Sequence, residues 1–219
     1  VSVSLLVVFL TGFGMFGGII FIPLYFQGVL GTSATNSGSF LTPMMLGVVA
    51  GGIISGQALS RLGGHYRLQG LTGLAIMSAG IFLLSRMTAN TSYGQAVANI
   101  VLMGVGLGVT FPVYTLVVQN NVPYRVLGVA TSSIQFFRSI GGTLGLAVLG
   151  SVMTNRFAAE MAKVVPAGVK EVVPREQLAY LAENPQALLS PEARVQLEAQ
   201  FAPLGAQGAG LLEQLLDAL

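Results

Sequence analysis

Residues 2–27 read SVSLLVVFLTGFGMFGGIIFIPLYFQ and contain no charged side chain. About 20 apolar helical residues cross the roughly 30 Å hydrocarbon core of a bilayer, so this stretch predicts a membrane span. Outward from it, the chain has no Asp or Glu before Glu160. Its first 159 residues contain six basic residues: Arg61, Arg67, Arg86, Arg125, Arg138 and Arg156. Soluble domains carry about a quarter charged residues, so the natural solvent of residues 1–159 is lipid.

Four more apolar runs follow the first. The five runs cover about 2–27, 37–60, 66–87, 93–119 and 125–154. They are too long for transmembrane β-strands and lack their alternating pattern. Short connections rich in Gly, Asn and Pro separate them. We therefore predict an all-α fold, a polytopic transmembrane helix bundle of five helices over 1–156.

The remaining residues, 157–219, form a polar tail. They hold all eight acidic residues of the chain against four basic ones, and five of its nine prolines. Short helical patterns lie near 174–183, 190–202 and 208–218. We expect an extramembrane loop, periplasmic or extracellular, that contains short amphipathic helices.

Basic residues set the predicted orientation. Arg61 and Arg67 flank one loop and Arg125 follows another, whereas Arg86 and Arg156 lie on the opposite side. Cytoplasmic loops carry the excess of Lys and Arg, which places the Arg61 and Arg125 loops inside and the tail outside. Because the chain starts at Val1 within an apolar run and stops within a helical pattern, we expect a fragment of a longer multi-pass protein of the cell membrane.

The sequence lacks the residues that several classes of enzymes, metal-binding proteins and nucleic-acid-binding proteins need. The chain has no Cys, no pair of carboxylates in the apolar runs and no zinc-protease or nucleophile-elbow motif. His65 has no His, Cys or acid near it in sequence, and Gly104-Val105-Gly106-Leu107-Gly108 lies within an apolar run rather than after a strand. No basic tract with interleaved aromatics is present. We expect no enzyme, no metal site, no cofactor and no nucleic-acid partner.

Small residues recur four positions apart along the runs. In lipid, such residues let helices associate by close packing. We predict helix-packing roles for three pairs: Gly47 and Gly51, Gly104 and Gly108, and Gly141 and Gly145. Pro23, Pro43 and Pro112 lie inside apolar runs, where each is expected to kink a helix. The segment Phe21 to Tyr25 also resembles Phe111 to Tyr114, as an inverted repeat of three helices would require.

Arg138 is the charged residue inside a run. It either reaches the inner headgroups, or it faces a polar cavity where it binds an anionic or polar group or sets the pKa of a carboxylate in another part of the protein. Any acidic partner must come from outside residues 1–159. The polar residues that could line the same cavity are Gln135, Tyr114, Gln27 and Asn99. Each of these is also compatible with a simple hydrogen bond between helices. The third run has few polar residues, so we expect that helix to face lipid and the other four to line the cavity.

Three motifs together resemble a known family. Gly56, Leu59, Ser60, Arg61, Gly63 and Arg67 are similar to the cytoplasmic loop signature of the major facilitator superfamily, with Ser60 where an Asp is usual. Ile22 to Gln27 with Leu30-Gly31 and Gly38 resembles the first helix of the second half in fourteen-helix drug:proton antiporters of the EmrB/QacA type. Gly128 to Ser132 with Phe137 to Gly142 and Gly145 resembles their thirteenth helix. The resemblance implies that the five helices are the ninth to thirteenth of fourteen, in the C-terminal half.

The resemblance also implies a function. It is proton-coupled efflux of drugs or other amphipathic solutes by alternating access, with the lipid bilayer and a small amphipathic solute as partners and the proton carried by acids of the N-terminal half. Two other readings remain open: an uptake carrier of the same superfamily, or a membrane scaffold component that transports nothing.

Overall fold

The structure is a computed structural model that describes residues 1–28, 38–61, 65–88 and 91–164. The predictions for Leu30-Gly31, for Gly63 and for the tail beyond residue 164 lie outside the described residues. Five helices carry the described chain: α1, Ser2–Gly28; α2, Leu41–Arg61; α3, Tyr66–Ser85; α4, Tyr93–Asn120; and α5, Leu127–Val164. A 3-10 turn, Tyr124–Val126, precedes α5. Each helix is long and apolar enough to cross a membrane. The predicted all-α bundle and its five spans are confirmed, and the chain is a multi-pass membrane protein.

Two compact units divide the chain, residues 1–146 and residues 147–219. All the helix contacts described below lie within the first unit. In the second unit, residues 147–164 continue α5.

Helix α4 lies at the centre of the first unit. In the most apolar 18 residues of α4, 50% of the residues are buried, against 28% or less in the corresponding part of the other spans. Its side chains Ile100, Met103 and Leu107 join one apolar cluster with α1, α2 and α3. Near its other end, Val118 packs with Val8 of α1 and with α5 residues. The central position of α4 follows from small residues along its length, which let α2 and α3 approach its backbone.

Helices α2 and α4 pack backbone to backbone. A Cβ built on Gly51 or on Gly108 would collide with a carbonyl oxygen of the facing helix, that of Val105 or of Val48. A Cβ on Gly47 would lie 2.7 Å from the carbonyl oxygen of Val101. A Cβ on Gly104 would collide with the carbonyl oxygen of Met44. Glycines from both helices therefore set the closest approach in this contact.

Helix α3 packs on another side of α4. A Cβ on Gly80 would lie 2.6 Å from the amide nitrogen of Met103, and one on Gly106 would collide with the backbone of Met77. The predicted lipid-facing side of α3 is apolar, since Leu68, Leu71, Ile81, Phe82 and Leu83 are exposed. Exposed apolar residues also occur on α1, α2 and α5. The division into one lipid-facing and four cavity-lining helices therefore stays a prediction.

Helices α1 and α5 form a second glycine-mediated contact. A Cβ on Gly141 would collide with the carbonyl oxygen of Phe9, and one on Gly145 would lie 2.9 Å from the Cα of Phe13. From the other side, Gly12 of α1 lies against the carbonyl oxygen of Arg138. The six glycines assigned to packing thus all lie at helix–helix contacts.

The prolines do not all have the expected effect. Pro23 and Pro112 lie inside α1 and α4, as predicted. Pro43 instead lies in the first turn of α2. Amide groups of a first turn have no partner within the helix, so proline removes no bond there. The prediction of a kink at Pro43 is therefore wrong.

Helix α5 extends well beyond the predicted end of its apolar run near residue 154. It continues to Val164, and its 38 residues measure about 57 Å. Residues 157–163 read FAAEMAK and are mostly strong helix formers. They continue the helix after the hydropathy falls. The helix therefore crosses the proposed boundary at 156/157, and the place where the backbone leaves the membrane stays a prediction.

Candidate functional site

Arg138 lies where α5 meets both α1 and α4. It follows the start of α5 at Leu127 by eleven residues, which is about 16 Å along the helix axis. The contact between its carbonyl oxygen and Gly12 fixes its backbone against α1. Its side chain reaches α4, where the guanidinium carbon lies 4.3 Å from the centre of the Phe111 ring. One half-buried residue therefore joins three helices.

The guanidinium has two further features. Its Nη1 donates a hydrogen bond of 2.6 Å to Oε1 of Gln135, one turn earlier on α5. Positions three apart on a helix are neighbours, which brings this amide to the arginine. The Nε atom is buried and has no hydrogen-bond partner in the described part of the chain. Arg138 is therefore held by one amide and one aromatic ring, with a donor left unsatisfied.

These contacts offset part of the cost of the charge. An arginine in the bilayer costs between about 2.5 and more than 10 kcal/mol, depending on snorkelling and water access. A cation over an aromatic ring contributes about 0.5–2 kcal/mol, and a hydrogen bond to a charged group about 1.5–3 kcal/mol. Among the described residues no Asp or Glu precedes Glu160. The site thus presents a positive charge that lacks an acidic partner within residues 1–159.

Two of the candidate residues lie at a different level of the bundle. Gln27 follows Gly12 by fifteen residues, about 22 Å along α1. Asn99 precedes Phe111 by twelve residues, about 18 Å along α4. Both lie toward the same end, because Gly18 of α1 contacts Met103 and the helices run in opposite directions. The structure therefore does not bring Gln27 or Asn99 to the arginine.

Tyr114 lies one turn after Phe111 on α4 but packs in another direction. Its hydroxyl lies 2.9 Å from a Cβ built on Gly70 of α3. Its ring also packs against the apolar cluster of Val8, Val118, Ala130 and Ile134. Of the five predicted cavity residues, the structure therefore joins Arg138 and Gln135, places Tyr114 nearby and leaves Gln27 and Asn99 apart.

Comparison with known proteins identifies this bundle. Residues 2–146 match the Major Facilitator Superfamily, and this match covers well over half of the chain. The chain belongs to the Major Facilitator Superfamily. This confirms the family read from the three motifs and, with the five spans, a multi-pass location in the cell membrane.

Named relatives within the Major Facilitator Superfamily are transport and resistance proteins. The chain is 38% identical over 208 residues to a multidrug transporter protein of Bacillus subtilis, covering 90% of this chain and 38% of that protein. It is 34% identical over 145 residues to a tetracycline resistance determinant of Streptomyces rimosus, covering 66% and 42%. A tetracenomycin C resistance and export protein of Streptomyces glaucescens is 32% identical over 179 residues, covering 81% and 33%. The chain thus spans less than half the length of these relatives.

The loop signature that indicated the Major Facilitator Superfamily lies at the junction of α2 and α3. Arg61 ends α2 and Arg67 lies in the first turn of α3, and both are exposed. Ser60, at the position where an Asp is usual, donates a 2.8 Å hydrogen bond to the Gln57 carbonyl of its own helix. The Ser60 hydroxyl is thus used within α2.

Ser55 provides a link between helices that the sequence did not reveal. Its buried hydroxyl donates a 3.1 Å hydrogen bond to the Val109 carbonyl of α4. Nε2 of Gln69 on α3 donates to the same hydroxyl at 3.1 Å and to the Ser55 carbonyl at 2.7 Å. One serine therefore ties α2, α3 and α4 together, about one and a half turns from Ser60.

Sequence reasoning also missed Phe111 as a site residue. Phe111 stands out in the sequence only as the start of the segment that resembles Phe21 to Tyr25, and nothing in a single sequence connects it with a residue 27 positions later. An available signal was the pairing of an isolated intramembrane cation with the aromatic residues of neighbouring spans, since cations favour aromatic faces.

Proposed function

We propose that this chain forms one wall of the solute pathway in a proton-coupled efflux transporter for drugs or other amphipathic solutes. The observation that supports the proposal is the half-buried Arg138, held at the junction of α1, α4 and α5 without an acidic partner in the described residues. Intramembrane charges with such placements mark solute or ion pathways. One relative is named a resistance and export protein, which favours export over uptake.

The mechanism we propose is alternating access. Glycine contacts hold the helices of this chain close together, so the unit moves as one wall against the other half of the transporter. Gln135 and Arg138 face the solute, and Phe111 holds the guanidinium in place. The proton is carried by acidic residues in another part of the protein, because residues 1–159 contain no carboxylate.

Replacement of Arg138 tests this role directly. In the full-length protein that contains this chain, Arg138→Ala should abolish most proton-driven efflux and drug resistance at equal expression. Arg125→Ala serves as the matched control, since it removes an arginine at the start of the same span and should leave most transport intact. Unchanged efflux by the Arg138 variant would show that the arginine has no role in the pathway.

Cysteine accessibility separates a transporter from a scaffold. The chain has no native cysteine, so single cysteines can be placed at Gln135 and at Ile134. A polar thiol reagent should label Gln135→Cys and leave Ile134→Cys, which is 2% exposed, unlabelled. Uniform protection of both positions would favour a packed scaffold.

The direction of transport needs a second assay. Everted membrane vesicles with an imposed pH gradient should accumulate the solute if the protein exports it. Accumulation by intact cells instead would favour the uptake carrier.

A further inference from the structure

The surroundings of Arg138 define what kind of partner it lacks. Phe111 covers the guanidinium at 4.3 Å, and Gln135 accepts one hydrogen bond from Nη1. Neither partner carries a negative charge. In the described residues of the unit formed by 1–146, every charged side chain is an arginine, apart from the titratable His65.

The shape of the Arg138 guanidinium indicates which kind of anion would bind it. A guanidinium is a planar fork of five N–H donors that matches a carboxylate in a bidentate pair. With Nε buried and one Nη1 hydrogen used by Gln135, three terminal N–H groups remain. They lie at the end of the side chain, which is the end that a carboxylate approaches.

The neighbourhood favours an amphipathic ligand. Phe111 belongs to the apolar shell around the main cluster, together with Met15 and Ile19 of α1. A ligand with its acid on Arg138 would therefore have apolar side chains beside its remaining part. A cationic ligand would meet like charge, and a neutral one would leave the arginine without a counter-ion among the described residues.

We propose that Arg138 selects solutes by charge, so that this transporter prefers amphipathic organic acids, each binding through a carboxylate to the terminal N–H groups of Arg138. This inference rests on the proposed transport function and names its substrate class. The carboxylate comes from the solute and not from another part of the protein.

Pyrenebutyrate and its methyl ester test the proposal, because they share one fluorescent apolar body and differ in the acid. The acid is ionised at pH 7. Proteoliposomes containing the full-length protein, with an imposed pH gradient, should transport both probes, the acid at about tenfold or more lower half-saturating concentration. Arg138→Gln should lower the transport rate of both probes and should raise the half-saturating concentration of the acid by about tenfold or more relative to that of the ester, so that the preference for the acid is lost. Arg138→Lys keeps the charge and loses the planar fork of donors. Its half-saturating concentration for the acid should lie between those of the wild type and Arg138→Gln.

Each result has a distinct meaning. An unchanged preference for the acid in folded Arg138→Gln would overturn the proposal, because the arginine would then pair with a protein carboxylate or support the structure rather than bind the solute. Wild-type transport of the ester with no preference for the acid would overturn it and leave the transport function standing. Transport of neither probe nor of any tested drug would remove both.

A second measurement on the wild-type protein covers the case in which the variants do not fold. The acid should inhibit efflux of an unrelated fluorescent drug at about tenfold lower concentration than the ester. Equal inhibition by the two probes would contradict the assignment without any substitution.

Discussion

The contact between α2 and α4 and the contact between α1 and α5 are both built on glycine, yet they differ in what they enclose. Between α2 and α4, glycines of both helices meet backbone atoms, and the polar group nearby, the Ser55 hydroxyl, is satisfied by Val109 and Gln69. Between α1 and α5, Gly12 meets the backbone of Arg138, whose side chain keeps an unsatisfied nitrogen.

The difference shows how one packing device serves two purposes. Close approach of backbones stabilises helix pairs in lipid, where the hydrophobic effect gives no net attraction. In the α2–α4 contact that stability is all the glycines provide. In the α1–α5 contact the glycines also fix the backbone of a charged residue, which leaves its side chain directed toward α4.

The largest effect is expected at Gly108, in the α2–α4 contact. Gly108→Leu should lower the free energy of unfolding by at least about 1–3 kcal/mol, because a Cβ there collides with the Val48 carbonyl and lies 2.9 Å from the Gly52 amide nitrogen. Thermal unfolding of the purified full-length protein measures the change. Gly56→Leu is the matched control, since nothing lies within 4 Å of its Cβ position. Equal behaviour of the two variants would show that the contact does not depend on glycine.

A smaller effect is expected in the α1–α5 contact. Gly141→Ala should destabilise the protein by about 1–2 kcal/mol, because the new methyl group meets the Phe9 carbonyl. Gly150→Ala on the same helix has open space and should be neutral or stabilising by up to about 1 kcal/mol, since alanine favours helix. Unfolding by denaturing detergent compares the two. A stabilising Gly141→Ala would mean that α1 and α5 are not in close contact.

The smallest effect concerns the link through Ser55. Ser55→Ala and Gln69→Leu should each cost about 0.5–1.5 kcal/mol. Their effects should not add, because they remove the same hydrogen bond, and the coupling between them should be near the ~0.6 kcal/mol typical of polar pairs in membranes. A double-mutant cycle on the free energy of unfolding measures this coupling. Strictly additive costs would show that the two side chains act independently.

Hydropathy and local motifs predicted most of the fold. The beginnings and ends of α1, α3 and α4 lie within about two residues of the apolar runs, because the bilayer itself fixes those lengths. The end of α5 was wrong by about ten residues, since helix propensity after Arg156 does not depend on hydropathy. Pro43 was misread because its position within the turn, rather than within the run, decides its effect.

The site was predictable only where it is local. Arg138 stands out by its charge and Gln135 by its polarity, and the two lie three positions apart on the same helix. Phe111 and Gly12 become neighbours of Arg138 through the packing of α4 and α1, which no periodicity in one sequence encodes. For the same reason, polarity alone grouped Gln27 and Asn99 with the arginine, although they lie about two-thirds of a bilayer thickness from its level.

The central position of α4 also has a consequence for biosynthesis. Helices α2 and α3 pack mainly on α4, yet both precede it in the chain. During synthesis they enter the bilayer first, so their glycine faces, at Gly47 and Gly51 and at Gly73 and Gly80, meet lipid until α4 arrives. The contacts that join α2 and α3 can therefore form only after Tyr93–Asn120 has been made.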